Sequence, residues 1–288
     1  MNLHIRIVLF IAIAGLFTHS SVAQDVENTL LWKVEGKDIK PSYVFGTLHL
    51  LPQSDFLLKK KVENAFMETD LLVLELDMDD PGLQAETMKH ANMKEGQTLD
   101  QLFTPDEYAA IDTELKTAMG VSLQMFNTFK PFVISAFFVA KLVGEQPASF
   151  EASLMTMAKA QGNEVEGLET VAEQMAMFDR FPYEDQADDI VEMISDMDKT
   201  RSIYRQLVDL YKEEDLEGLS EMMDEYFNGP NEKDILLIER NQKWIPMMES
   251  IAKKQSTFFG VGAGHLGGDQ GVIALLKRAG YTVTPVMQ

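Results

Sequence analysis

The chain has 288 residues, 45% of them hydrophobic, with 46 Asp and Glu against 25 Lys and Arg and no cysteine. That is chain enough for one large domain with a real core, and a formal charge of −21 argues against nucleic acid or an anionic membrane surface as a partner. Lack of cysteine excludes disulfides, thiolate metal sites, a cysteine nucleophile and a lipid-modified N-terminal cysteine. Any metal must then be held by His, Asp or Glu.

Residues 1–23 have the layout of a secretory signal. Arg6 precedes the apolar run Ile7 to Phe17, and Ser20, Ser21, Val22 and Ala23 supply small residues for a cut after Ala23. The run is short for a bilayer span; an uncleaved anchor is the other reading of this segment. The expectation is a secreted or periplasmic protein with no stable membrane anchor after cleavage. No low-complexity linker, Pro/Ser-rich hinge or fixed-period repeat follows, so residues 24–288 are expected to form a single domain.

Ser42 to Phe45 reads as a strand, followed by an amphipathic helix from near Asp55 to near Glu68 and a second strand, Leu71 to Leu76. Such a strand–helix–strand unit favours parallel pairing. The centre of the chain is helical. Thr104-Pro105-Asp106-Glu107 is a capping box with proline at the first helical position and Gly120 as the stop, and Pro131 to Val143 is a nearly all-apolar helix ended by Gly144. Thr170-Val171-Ala172-Glu173 is a second capping box, preceded by a short extended segment, Asn163 to Glu166. Tyr183 to about Asn228 reads as acidic amphipathic helix, and Asp234 to Lys254 as the last long helix. Strand returns at Thr257 to Val261, then come a glycine-rich turn, a helix from about Gln270 to Arg278 with Gly280 as its stop, and a strand from Tyr281 to Val286. The expected fold class is mixed α/β: strand–helix units at both chain ends form a central sheet, with a large helical insertion between them.

Two of the turns match. Gly46-Thr47-Leu48-His49 follows the first strand and Gly262-Ala263-Gly264-His265 the late one, both at the carboxyl end of a strand, the edge where open α/β sheets bind ligands. Glu75 stands inside the apolar run Leu71 to Leu76, and a buried carboxylate costs several kcal/mol unless paired, protonated or bound to a cation. His49, His265 and Glu75 at neighbouring strand ends would satisfy one another through a divalent metal. Either histidine alone reads equally as a hydrogen-bonded turn residue, and Glu75 as an outward strand end beside Asp77, Asp79 and Asp80. The duplicated turn is what favours a site.

Gly262-x-Gly264-x-x-Gly267 also matches the dinucleotide fingerprint, but the strand that follows carries no acidic residue. The amides of Gly262 to Gly264 remain able to receive an anionic group or an oxyanion. His90 lies among polar residues and reads as solvated surface. The 18 methionines read as core packing rather than a Cu(I) site.

Phe45-Gly46-Thr47-Leu48-His49 with Pro52, Glu75-Leu76-Asp77, Gly167-Leu168-Glu169-Thr170 with Gln174, Arg240-Asn241, and Val261-Gly262-Ala263-Gly264-His265-Leu266 with Gly268 resemble, in order, the motifs of the TraB/PrgY/GumN family. The resemblance implies a fold similar to that of erythromycin esterases and haem-binding ChaN proteins. It also implies kinship with TIKI-type metalloproteases, in which paired Gly-x-x-His motifs and a glutamate carry a divalent-metal-dependent peptidase activity. Carried over, it points to His49, His265 and Glu75 as the metal set, with Mn, Co or Zn as the ion, and to Glu75, Glu169, Arg240 and Asn241 as catalytic residues. Glu169 reads as ligand or general base, or as an acidic residue near a helix N-terminus. Arg240 reads as a holder of a substrate carboxylate or carbonyl, or as half of an intrahelical salt bridge. Family members commonly carry Asp where this chain has Glu151. The expected function is metal-dependent hydrolysis of an amide bond in a peptide or other small substrate. The alternative is a binding protein of the same fold that sequesters a peptide or haem.

Overall fold

A computed structural model describes residues 28–287 apart from 37, 145, 228 and 230; the signal reading of residues 1–23 lies outside the described residues. Strands β1 (Leu31–Glu35), β2 (Ser42–Thr47) and the short β3 (Leu51–Pro52) lead to α1 (Lys60–Met67) and β4 (Leu71–Leu76). The insertion runs through α2 (Leu83–His90), α3 (Leu99–Leu102), α4 (Pro105–Met119), α5 (Pro131–Val143), β5 (Pro147–Ala148) and α6 (Phe150–Gln161). After β6 (Glu164–Glu169) come α7 (Val171–Phe178), α8 (Tyr183–Ser195), α9 (Met197–Lys212), α10 (Leu216–Tyr226) and α11 (Glu239–Ala252), and then β7 (Thr257–Gly262), α12 (Val272–Arg278) and β8 (Thr282–Pro285). Among these residues no helix is long and apolar enough to cross a membrane.

The mixed α/β class holds, with one six-stranded sheet in the order β6-β4-β7-β2-β1-β8. β7 is parallel to both β2 and β4, and β4 is parallel to β6, while β1 runs antiparallel to β2 and β8. β2 and β4 therefore share a direction but are not partners: β7, from the far end of the chain, lies between them. Central parallel strands are covered on both faces and read as continuous apolar runs, and β4 is buried from Leu71 to Glu75. Rings from three segments meet across the sheet, Phe258 against Phe66 at 5.3 Å and against Phe45 at 6.1 Å.

Several boundaries differ from expectation for identifiable reasons. The extended segment before the second capping box is a full strand, β6, paired along β4 from Leu71↔Glu164 to Leu76↔Glu169. β1 went unread because only Leu31 and Val34 of its five residues are buried. α1 starts at Lys60 rather than near Asp55, since residues 53–55 form a turn. The acidic helix from Tyr183 is three helices. Asp196 leaves helical geometry to cap Lys199, and Asp215 caps Gly218 just after Glu214 turns left-handed at φ 56. Both capping boxes form as expected, and α5 opens on Pro131 and is capped by Gly144.

One buried cation ties the two outer segments of the sheet to the helices above it. Lys61 Nζ donates to Thr29 Oγ1 at 2.8 Å, to Glu214 Oε2 at 2.8 Å and to the carbonyl of Val286 at 3.0 Å. It thereby links the residues before β1, the residue after β8 and the turn between α9 and α10. Lys61→Met removes three buried hydrogen bonds from an ammonium and leaves Glu214 to the more exposed Lys59, so it is expected to lower the unfolding free energy by about 2 kcal/mol, read from urea denaturation; a loss below about 1 kcal/mol, the scale of a surface pair, would refute this role.

Candidate active site

The two Gly-x-x-His turns lie side by side because β2 and β7 are neighbours in register, Gly46 opposite Val261 and Thr47 opposite Gly262. Glycine is required by the closeness of the turns. A Cβ on Gly46 would stand 2.7 Å from Leu266 Cδ1 and 3.1 Å from Ala263 Cα, pushing the motifs apart. A Cβ on Gly262 would meet Glu75 Oε1 at 3.2 Å, His265 Cδ2 at 3.6 Å and His49 Nε2 at 3.9 Å. The three residues expected to form a site thus converge at the carboxyl ends of β2, β4 and β7.

At their centre is Arg240, on the first turn of α11 and 3% exposed. Its Nη2 donates to Glu75 Oε2 at 2.5 Å and to Glu169 Oε2 at 2.9 Å, and Nε donates to both Glu169 oxygens at 3.1 Å. Nη1 donates to the Leu236 carbonyl at 3.1 Å and contacts His265 Nε2 at 3.0 Å. Gln174 Nε2 donates to Glu169 Oε2 at 3.2 Å, and the Gly262 amide to Glu75 Oε1 at 2.8 Å. The intrahelical salt bridge considered for Arg240 is not what forms: its neighbour Glu239 pairs with Arg180 instead. Burial would raise the Glu75 pKa, but the guanidinium and the Gly262 amide hold it well below the usual carboxylate range.

Each histidine is oriented through its outer ring nitrogen. A guanidinium only donates, so His265 Nε2 accepts from Arg240 and the ring proton sits on Nδ1, which donates to Asn241 Oδ1 at 2.7 Å. Asn241 is held in turn by its Nδ2 bond to the Gln270 carbonyl at 2.9 Å. Burial and the adjacent guanidinium lower the His265 pKa to about 3, so the ring is neutral. His49 Nδ1 lies 2.8 Å from Glu151 Oε1, and Ser149 donates to the other oxygen. Burial works against charge on His49, but the Glu151 carboxylate outweighs it and holds the pKa above its ordinary value. Burial would likewise raise Glu151, and His49 brings it down to about 2.

The inward edges of both rings and of Glu75 border a cavity of about 50 Å³, roofed by apolar side chains of α9 and α10 such as Tyr211, Leu219 and Met223. On this measure about 10–15 Å³ holds one water, so there is room for a few. In kind, the donors suit a divalent cation: two imidazoles and a carboxylate, each ring fixed by an acceptor on its far nitrogen, as metal-ligating histidines are. In placement they do not yet form a set: among the described residues no group of three or more His, Asp or Glu is gathered to hold an ion. Arg240 Nη1 takes the one lone pair that His265 Nε2 has to offer.

The structure brings together His49, Glu75, Glu169, Arg240, Asn241, Gly262 and His265 around this centre. Glu169 meets Arg240 and does not border the cavity. Gly46 and Gly264 provide clearance, the latter against Met223 Sδ, 3.1 Å from where a Cβ would stand. His90 pairs with Glu86 on α2. The dinucleotide fingerprint is not realised, because the strand after α12, β8, lies at the sheet edge antiparallel to β1 and not parallel beside β7. The family resemblance marked the Glu151 position, but its role beside His49 was not readable from sequence. An acidic residue in a helix first turn is a common dipole partner, and only its burial beside His49 distinguishes it.

A model of the TraB/PrgY/gumN family matches residues 30–285. No curated protein and no solved structure matches the chain.

Removing the guanidinium leaves two buried carboxylates unpaired. Arg240→Met is expected to cost about 3–5 kcal/mol of stability, while adding Glu75→Gln and Glu169→Gln to it recovers most of that loss in chemical denaturation. A triple variant no more stable than Arg240→Met would show that charge pairing is not the role of this arginine.

Proposed function

The chain belongs to the TraB/PrgY/gumN family, and on that premise we propose that it is an exported, divalent-metal-dependent hydrolase of amide bonds, peptidase-like in substrate. The observation that carries this reading is the pairing of the two motif histidines. Each has its outer nitrogen held by an acceptor, Glu151 or Asn241, and its inner edge beside Glu75 on one cavity. Export rests on the signal-like layout of residues 1–23.

His49, Glu75 and His265 would hold the ion, His265 joining when Arg240 releases its Nε2. A cation bound there supplies Lewis acidity and a lowered water pKa. Glu75 suits the part of ligand better than that of general base. A ligand must be ionised, and the guanidinium keeps it so, whereas a base works best with a pKa near ambient pH. Glu151 fixes the His49 ring and raises its basicity, so an ion binding there would displace the proton from Nε2 while Glu151 keeps the one on Nδ1. Asn241 keeps the His265 proton on Nδ1, leaving the Nε2 lone pair facing inward. Glu169 and Gln174 act at one remove, setting where Arg240 and Glu75 lie. The apolar roof limits water at the site, which strengthens every charge interaction beneath it.

One observation favours a second reading, capture of a peptide without chemistry: the Arg240 bond to His265 Nε2 occupies a ligand position. Haem, the other ligand of that reading, does not fit a cavity of about 50 Å³.

Titration of the purified protein with Mn, Co and Zn, followed by digestion of a peptide library with and without chelator, tests the proposal. One tight equivalent of metal and chelator-sensitive cleavage are expected, with His49→Ala and His265→Ala each weakening metal affinity by 10-fold or more, the scale on which a metal site responds even to loss of a supporting residue. Wild-type metal affinity and turnover in both variants would sink the assignment. Saturable peptide binding with an unchanged ligand mass would replace it with capture.

A further inference from the structure

A second cavity, of about 170 Å³, lies behind the first and has not entered the function so far. Its interior is apolar: Leu30, Phe45, Val62 and Phe150 line it, all nearly fully buried, and Tyr211 is the wall it shares with the candidate active site. Four charged residues complete the lining and all are engaged: the buried Glu214 accepts from Lys59 at 2.9 Å and from Lys61 at 2.8 Å, and Lys212 Nζ meets Asp55 Oδ1 at 2.7 Å. Each of these charges already has a partner, and the rest of the lining, Leu57 included, offers apolar contact. A dry apolar cavity of about 150 Å³ is large enough to bind benzene in another protein.

Three walls of this cavity are joined to the parts that hold His49. Phe45 directly precedes Gly46, the first residue of the first Gly-x-x-His turn. Phe150 directly precedes Glu151, the partner of His49 Nδ1. The Tyr211 hydroxyl donates to the Gly46 carbonyl at 2.7 Å. The same rings pack on one another, Phe150 against Phe45 at 5.6 Å and against Tyr211 at 5.1 Å. A group entering the cavity presses on all three at once.

We propose that this cavity is a binding site for a small uncharged apolar group, of phenyl or branched-aliphatic size, and that its occupation is linked to His49 through Tyr211, Phe45 and Phe150. The group is either a side chain of a bound peptide or a free apolar molecule. Binding at the cavity is independent of whether the first site hydrolyses amides, so the two readings fail separately.

Toluene is the probe. Calorimetry is expected to show one saturable equivalent per chain, abolished by Val62→Phe, which fills the cavity, and by Leu30→Phe, which fills it from another wall. Toluene should also shift the His49 imidazole NMR signals. Tyr211→Phe keeps the cavity but removes the bond to Gly46, and should cut that shift at least twofold while toluene still binds. No saturable binding to the wild-type chain, or unaltered binding in a folded filling variant, overturns the site. Unmoved His49 signals at toluene saturation overturn the link. Competition by a phenylalanine-containing peptide identifies a substrate side chain as the occupant, and toluene binding untouched by such peptides identifies a free molecule.

Discussion

The architecture of the site depends on one buried cation set between two carboxylates. Glu75 at the end of β4 and Glu169 at the end of β6 are both nearly inaccessible, and ions in such places cost several kcal/mol each unless fully paired. The Arg240 guanidinium answers both and reaches His265 as well. Its planar fork has five donors in fixed directions, which a lysine could not replace. The face of Trp244 lies 4.8 Å from the guanidinium carbon, and the Trp244 ring also packs on His265. Strands from different parts of the chain and the late histidine turn are thereby referred to one group.

The position of that group is itself a product of backbone distortion. Residues Asp234–Ile238 form a π-helical turn immediately before α11, a widening found often at functional sites. Arg240 returns a bond to the Leu236 carbonyl inside that turn. The long helix expected from Asp234 is therefore present but altered where it meets the sheet edge. Glutamine and asparagine complete the arrangement: Gln174 steadies the carboxylates, and Asn241, the residue after the arginine, fixes the tautomer of His265.

The helical insertion contributes a roof and a partition. Its break at Glu214 and Asp215 lets α9 and α10 fold over the strand ends, and it places Tyr211 between two cavities. Lys61 holds Glu214, so the same turn that ends α9 is anchored to Thr29 before β1 and Val286 after β8. Acidity, which dominates the composition, is largely solvated elsewhere; the few acidic residues that matter chemically are those the fold has buried.

Periodicity and turn chemistry were sufficient for the class of fold, the capped helices α4 and α7, the apolar helix α5 and the strands that carry the two histidine motifs. These are local properties, set by side-chain pattern and backbone preference over a few residues. The residue types at the centre were also legible, since a glutamate inside an apolar strand and two matching glycine turns conflict with plain structure. Sequence could not decide which groups meet. Placing β7 between β2 and β4 puts His265 beside His49 and Glu75, and β6 beside β4 gives Arg240 a second carboxylate. Glu151 and Tyr211 become partners of the first turn only through contacts more than a hundred residues apart in the chain. Such pairings depend on which strands become neighbours and on the desolvation that follows, and neither is encoded in any short window of sequence.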